Sequence, residues 1–229
     1  MAITVICGRV AREGQQEALA AGMQEVSGQR SRAVNPQVRM FLGLRNPRCV
    51  LYVGEWCSRE EYAARSQDHC AALDALCSAP TRRWYCQRRH LYEIASTQAQ
   101  AGSCTLFYAP AEAVAATIAH LTNTAGPVIR AQPGFVWRAL YQDLDDPRRL
   151  LMLNGWRSLD DEAGYRAVVE ELQGPLLARG VQIERFHGMT RAEIEPTYVR
   201  QEIGLASQAR GSETDLPGQT RLRSGAMRY

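Results

Sequence analysis

This chain writes one segment twice, and that repetition limits its folds more than any other feature. Residues 45–56 read RNPRCVLYVGEW, and residues 145–156 read DDPRRLLMLNGW. Pro47 and Pro147, Arg48 and Arg148, Leu51 and Leu151, and Trp56 and Trp156 coincide without a gap. Ser58 and Ser158 follow the tryptophans at equal distance, and Glu93-Ile94 parallels Glu193-Ile194. ITVIC near the start also resembles CTLFY at 104–108. An internal repeat governs every later inference. It places one half at 1–95 and the other at 103–195, with a linker at 96–102. Residues 196–229 are polar and aperiodic and read as a flexible tail or extended arm.

Both halves show the same order of elements. A short apolar run (Ile3–Cys7; Cys104–Tyr108) predicts a strand. Leu19, Met23 and Val26, and likewise Val114, Ile118 and Leu121, sit at i, i+4, i+7 and predict a helix. Two strands follow, Val38–Leu44 with Cys49–Trp56 and Phe135–Gln142 with Leu150–Trp156, joined at the turn dipeptides Asn46-Pro47 and Asp146-Pro147. SREE at 58–61 and SLDD at 158–161 are helix-capping sequences. The stripes that follow, Tyr62, His69, Leu73 and Leu76, and Tyr165, Val168, Val169 and Leu172, predict a second helix. Ser78-Ala79-Pro80 and Gly174-Pro175 are expected to end these helices. Last strands are expected at Arg83–Ile94 and Val181–Met189. The order βαββαβ, twice, is the α+β ferredoxin-like unit. Each copy leaves one sheet face bare, so the duplication is expected to supply the covering sheet within one chain, as a pseudo-dimeric α+β barrel.

Composition narrows the function classes. A net charge of +3 gives no case for nucleic acid. All 27 basic residues are arginine; without lysine, Schiff-base and P-loop chemistry are excluded. Arginine instead favours fixed, bidentate pairing. The seven cysteines show no zinc spacing and read as reduced small hydrophobes, so no metal is expected. No apolar run is long enough to span a membrane, and no basic region precedes the first apolar run. A cytoplasmic protein is the expectation.

The hairpin with its Asp-Asp-Pro-x-Arg turn, the apolar run to Trp, and the Ser-x-x-acid helix start resemble the antibiotic biosynthesis monooxygenase family. Each half resembles one domain of that family, and the chain looks like a tandem member of the dimeric α+β barrel superfamily. The resemblance implies an oxygenase without metal or other cofactor, acting on an aromatic polyketide-like or quinol molecule. A homodimer of the tandem chain is compatible with it. The family's strand Trp corresponds to Trp56 and Trp156, and its Tyr six residues later to Tyr62, with Glu162 there in the second half. An Asn four residues before the Trp is replaced by Tyr52 and Met152. Haem-degrading members carry a His about ten residues after the Trp; Ser66 and Arg166 stand there, so haem cleavage is not expected.

Catalytic candidates are therefore Trp56, Tyr62, Trp156 and Asn154. Strand alternation sets Trp56 with Tyr52, and Trp156 with Asn154 and Met152. It also sets Phe135, Trp137 and Tyr141 on one face. Tyr52, His69, Phe135, Trp137, Tyr141 and Met152 are the substrate-binding candidates, lining hollows between sheet and helices. His187, His90, Arg138 and Arg39 are weaker candidates, each as well explained as a surface or paired group. A binding or assembly protein of the same fold, or a cyclase or isomerase using the same pocket, remains the alternative to an oxygenase.

Overall fold

The computed structural model describes residues 2–34, 38–94 and 98–194; the segment read as a tail lies outside them. Local chemistry fixes the elements first. Ser58 accepts a hydrogen bond from the Glu61 N–H at 3.2 Å and starts a helix at Arg59. Ser158 does the same for Asp161 at 3.1 Å. The first half runs β1 (Ile3–Val10), α1 (Gln16–Val34), β2 (Val38–Gly43), β3 (Cys49–Trp56), α2 (Arg59–Ala75) and β4 (Arg82–Glu93). The second runs β5 (Ala101–Tyr108), α3 (Val114–Ala119), α4 (Ala125–Arg130), β6 (Phe135–Asp143), β7 (Arg149–Trp156), α5 (Leu159–Leu177) and β8 (Gln182–Ile194).

Three expectations are corrected. β5 begins at Ala101, inside the segment read as linker, because Ala101 and Gly102 already pair with β7 and β8. α5 runs through Gly174-Pro175 to Leu177. The helix expected from Val114 is interrupted by a π turn, His120–Thr124, between α3 and α4. Pro127 offers no N–H to the carbonyl four residues back, and its ring would clash there. The wider turn, closed by Ala125 N–H to His120 C=O, relieves that clash.

The eight strands form one closed barrel in the order β1-β3-β2-β8-β5-β7-β6-β4. Both halves thus have the ferredoxin-like order, β4-β1-β3-β2 and β8-β5-β7-β6. They join edge to edge, β2 with β8 and β4 with β6, both antiparallel. Period-2 alternation divides the side chains between two surfaces. One set, including Ile6, Phe41, Leu51, Leu153 and Trp137, fills the barrel interior. The other packs under the helices: Val5, Tyr52 and Trp56 with Leu19 and Leu73 in the first half, Phe107, Leu140 and Trp156 with Leu121 and Val169 in the second.

Glycines let two large rings lie flat inside the barrel. A Cβ on Gly155 would come 2.2 Å from Trp137 Nε1, and one on Gly102 would come 2.4 Å from Phe41 Cε1. The two rings are 6.2 Å apart and plug this part of the lumen. Gly155→Val is expected to lower stability by about 1–3 kcal/mol through overpacking. A denaturation midpoint in urea equal to that of the wild type would contradict this packing.

Candidate functional site

The sheet-to-helix layers of the two halves differ in what they bury. In the first, Trp56 meets Tyr62 edge to face at 5.0 Å, and Tyr62 meets Tyr85 at 5.8 Å. Between them and α2 lies a cavity of about 20 Å³, lined by Cys7, Tyr52, Tyr62, His69 and Cys70. That is room for about one water and none for an aromatic ring. The Tyr62 hydroxyl lies 3.9 Å from Cys7 Sγ and 3.6 Å from Cys70 Sγ. Burial raises its pKa well above the usual phenol value, helped by both thiols. Burial would also raise the Cys70 thiol, but the Tyr62 hydroxyl, Arg9 and Arg83 outweigh it and bring Cys70 below its ordinary value. His69 is exposed at the edge of this layer.

In the second layer the register lines up four polar residues across four strands. His187 on β8 pairs with Ser103 on β5, Ser103 with Asn154 on β7, and Asn154 with Arg138 on β6. The corresponding row of the first half is Tyr85, Val5, Gly54 and Val38. One half thus sets a histidine, a serine, an amide and a guanidinium where the other has a tyrosine, two valines and a glycine. Asn154 is 0% and Arg138 2% exposed, so neither is a surface group.

Around this row the aromatic wall closes. Trp156 stacks on Tyr165 of α5 at 4.6 Å, and Phe135 meets Trp156 edge-on at 5.7 Å. Met152 packs in the adjoining cluster. Asn154 Nδ2 donates to Ser103 Oγ at 3.3 Å, and Arg138 Nη2 donates to the Leu121 carbonyl in the π turn at 2.6 Å. Asn154 Oδ1, Arg138 Nη1, Tyr165 Oη and Trp156 Nε1 are buried with no hydrogen-bond partner. Native proteins leave few such groups, and each calls for a reason. Burial pushes the Tyr165 phenol up to about 12, opposed by Arg138, Arg185 and the nearby Asn154 amide. Burial lowers Arg138 to about 10. At neutral pH both therefore hold their protons and act as donors.

Glu162 of α5 anchors the open end of the row. It accepts from His187 Nδ1 at 2.5 Å and pairs with Arg166 at 2.5 Å. Its own desolvation would raise its pKa, but these two partners outweigh it and hold the carboxyl below the usual range. With Nδ1 committed to Glu162, Nε2 is the His187 nitrogen left to take a proton.

Alternation alone therefore groups the candidates only in part. Trp156, Asn154 and Met152 share a face as expected, but Phe135 does not share one with Trp137 and Tyr141. A bulge between Phe135 and Trp137 shifts the register. Phe135 turns to Trp156 under the helices, while Trp137 and Tyr141 point into the barrel. There Arg39 lies over the Trp137 ring at 4.0 Å and pairs with Glu93 at 2.7 Å. His90 sits on β4 opposite Leu140. Ser103 stood outside the strand expected at Cys104–Tyr108, and Tyr165 was legible only as part of a helix stripe; the signal that finds them is the register with Trp156. Among the described residues, no cluster of three or more His, Cys, Asp or Glu is arranged to hold a metal.

Because Glu162 is buried and its pKa depressed, its ionised form stabilises the fold above the ordinary carboxylate pKa of about 4.3. That contribution is lost as pH falls through the lower folded value. Glu162→Gln is expected to cost about 1–3 kcal/mol at pH 7, with the difference from wild type shrinking below about pH 4. Urea titrations across that range test it; a difference that does not change with pH would contradict the assignment.

Residues 104–168 match the model of the family described as antibiotic biosynthesis monooxygenase. A Fusobacterium nucleatum protein assigned provisionally as a monooxygenase superposes with a TM-score of 0.69 at 8% identity, covering 85% of this chain and 94% of that one. An anthrone oxidase-like protein gives 0.66 at 13% identity, covering 86% and 94%. A provisionally assigned monooxygenase from Lactobacillus acidophilus gives 0.65 at 7%, covering 85% and 96%. At such identities the likeness is one of fold. No curated protein matches the sequence. The segment that matches this family model runs from β5 into α5 and carries Arg138, Asn154, Trp156, Glu162 and Tyr165.

Proposed function

We propose that this protein is a monooxygenase of the antibiotic biosynthesis type, working without metal or flavin on an aromatic polyketide-like or quinol molecule. We also read the chain as a covalent pseudodimer of two such domains in which the second half holds the site. The observation that carries this is the polar row His187–Ser103–Asn154–Arg138, set beside Trp156 and Tyr165 and replaced by Tyr85, Val5, Gly54 and Val38 at the same register of the first half. Trp56 and Tyr62 then serve packing, and Tyr52 and His69 border a hollow too small for the substrate.

The chemistry follows from the groups present. A phenol or hydroquinone becomes a reductant for oxygen once it is an anion. The His187–Glu162 pair supplies the base. The Arg138 guanidinium and the protonated Tyr165 hydroxyl are donors for the ring oxyanion, in a layer where charge is weakly screened. Trp156 and Phe135 hold the ring plane, and Asn154 Oδ1 accepts a hydrogen bond from a second substrate hydroxyl. At an activated ring methylene, the CH₂ gives both hydrogens and four electrons to O₂. One oxygen atom becomes the new carbonyl, and the other leaves as water. Trp156 and Asn154 are fully covered, so this reading requires the helices over the row to part from the sheet as substrate enters.

Oxygen uptake with a panel of hydroquinones and anthrone-like phenols tests this. Asn154→Leu and Trp156→Phe are expected to lower kcat/KM, the former by roughly 10²-fold, and Trp56→Phe to leave it within about twofold. Loss in Trp56→Phe alone would move the site to the first half. Binding with no oxygen uptake would make the protein a binder.

A further inference from the structure

The barrel interior is plugged at one end and hollow at the other. Phe41, Trp137, Tyr141 and the Arg39–Glu93 pair occupy the first end. At the second lies a cavity of about 370 Å³, whose lining includes Leu51, Trp84, Cys104, Leu106, Leu151 and Phe186. This is the volume of a small-molecule site. It lies on the opposite face of the sheet from the row at Asn154, because Leu151 and Leu153 alternate with Met152 and Asn154 along β7.

Its mouth has a distinct construction. Arg82 opens β4 and Glu184 lies near the start of β8, and their side chains meet at 3.2 Å. β4 and β8 are opposite in the ring, with β1, β3 and β2 between them one way and β5, β7 and β6 the other. The ion pair therefore spans the opening. Two residues further in on the same strands stand Trp84 and Phe186, both half-buried. The pair is about two-thirds exposed on each side, and such pairs hold weakly. The lining also includes Arg9, which is paired with Asp74, and Arg185. A second hollow of about 260 Å³ shares Cys49, Arg185 and Phe186 with the first and adds Arg45. Through that second hollow Arg45 brings a further guanidinium beside the entrance.

We propose that the hollow end of the barrel is a binding chamber for a small aromatic acid. Its ring lies in the lumen among Trp84, Phe186 and Leu106, and its carboxylate takes Arg82 from Glu184 at the mouth. The apolar wall provides for the ring. Arginine provides a bidentate, charge-assisted partner for the carboxylate. A neutral ring of the same shape gains only the first of these. The chamber is independent of the oxygenase reading, being on the other side of the sheet.

Titration of the full chain with 1-naphthoate, followed by tryptophan fluorescence, tests the proposal, with 1-naphthalenemethanol as the neutral comparison. Saturable quenching by naphthoate is expected, absent or greatly reduced in Trp84→Phe. Arg82→Gln is expected to weaken naphthoate about tenfold, and Glu184→Gln to tighten it severalfold by removing the competing carboxylate. Neither change is expected to alter the alcohol's binding. Both residues are exposed, so these variants fold as the parent does. Leu106→Trp, which fills the lumen, is expected to abolish binding of both compounds. Equal affinity for acid and alcohol, full quenching in Trp84→Phe, or an Arg82→Gln protein that binds naphthoate as the wild type does would each overturn it.

Discussion

Two seams of backbone hydrogen bonds, β2 with β8 and β4 with β6, hold the molecule's architecture. A four-stranded sheet by itself has two edges with unpaired amides and carbonyls, and a bare apolar face. Closing the ring removes both problems at once. Each edge finds a partner, and the faces opposite the helices enclose a common interior. The seams also set the relation between the halves. Cross-strand neighbours are fixed from β1 round to β4, so a one-residue shift at either seam would set side chains meant for the barrel interior against those meant for the layer under the helices.

At the register of Asn154 the second half accepts a cost that the first avoids. Burying Arg138, Asn154 and Tyr165 with unused donors and acceptors opposes folding. Part of that cost is met by the Leu121 carbonyl, which a regular helix would have kept for its own ladder. The π turn ahead of Pro127 supplies it, so a helix irregularity and a buried guanidinium explain each other. Trp156 and Tyr165 stack beside them, and Glu162 ties α5 to β8 through His187. Atoms left unsatisfied in a dry layer are what a site that grips an anion would show before its guest arrives.

Much of this was legible in the sequence. The repeat, the capping serines and the turn dipeptides give the order of elements, and alternation puts Asn154 beside Trp156. What was not legible depended on partners far along the chain. The bulge after Phe135 has no marker in FVWRAL, because an added residue in a strand appears only against its neighbour. Gly174-Pro175 reads as a stop, yet α5 continues, since its apolar face is held by the sheet beneath. The polar row could not be read from any one segment. Ser103, Arg138, Asn154 and His187 become neighbours only once four strands are in register.

Joining the two copies in one polypeptide also removes a restriction that symmetry imposes. In an assembly of identical subunits, every substitution occurs twice, so a site cannot be lost from one member and kept in the other. Here Gly54 and Asn154 occupy equivalent places in the register and differ. The two halves are then free to differ, one packing valine and glycine where the other buries a serine, an amide and a guanidinium.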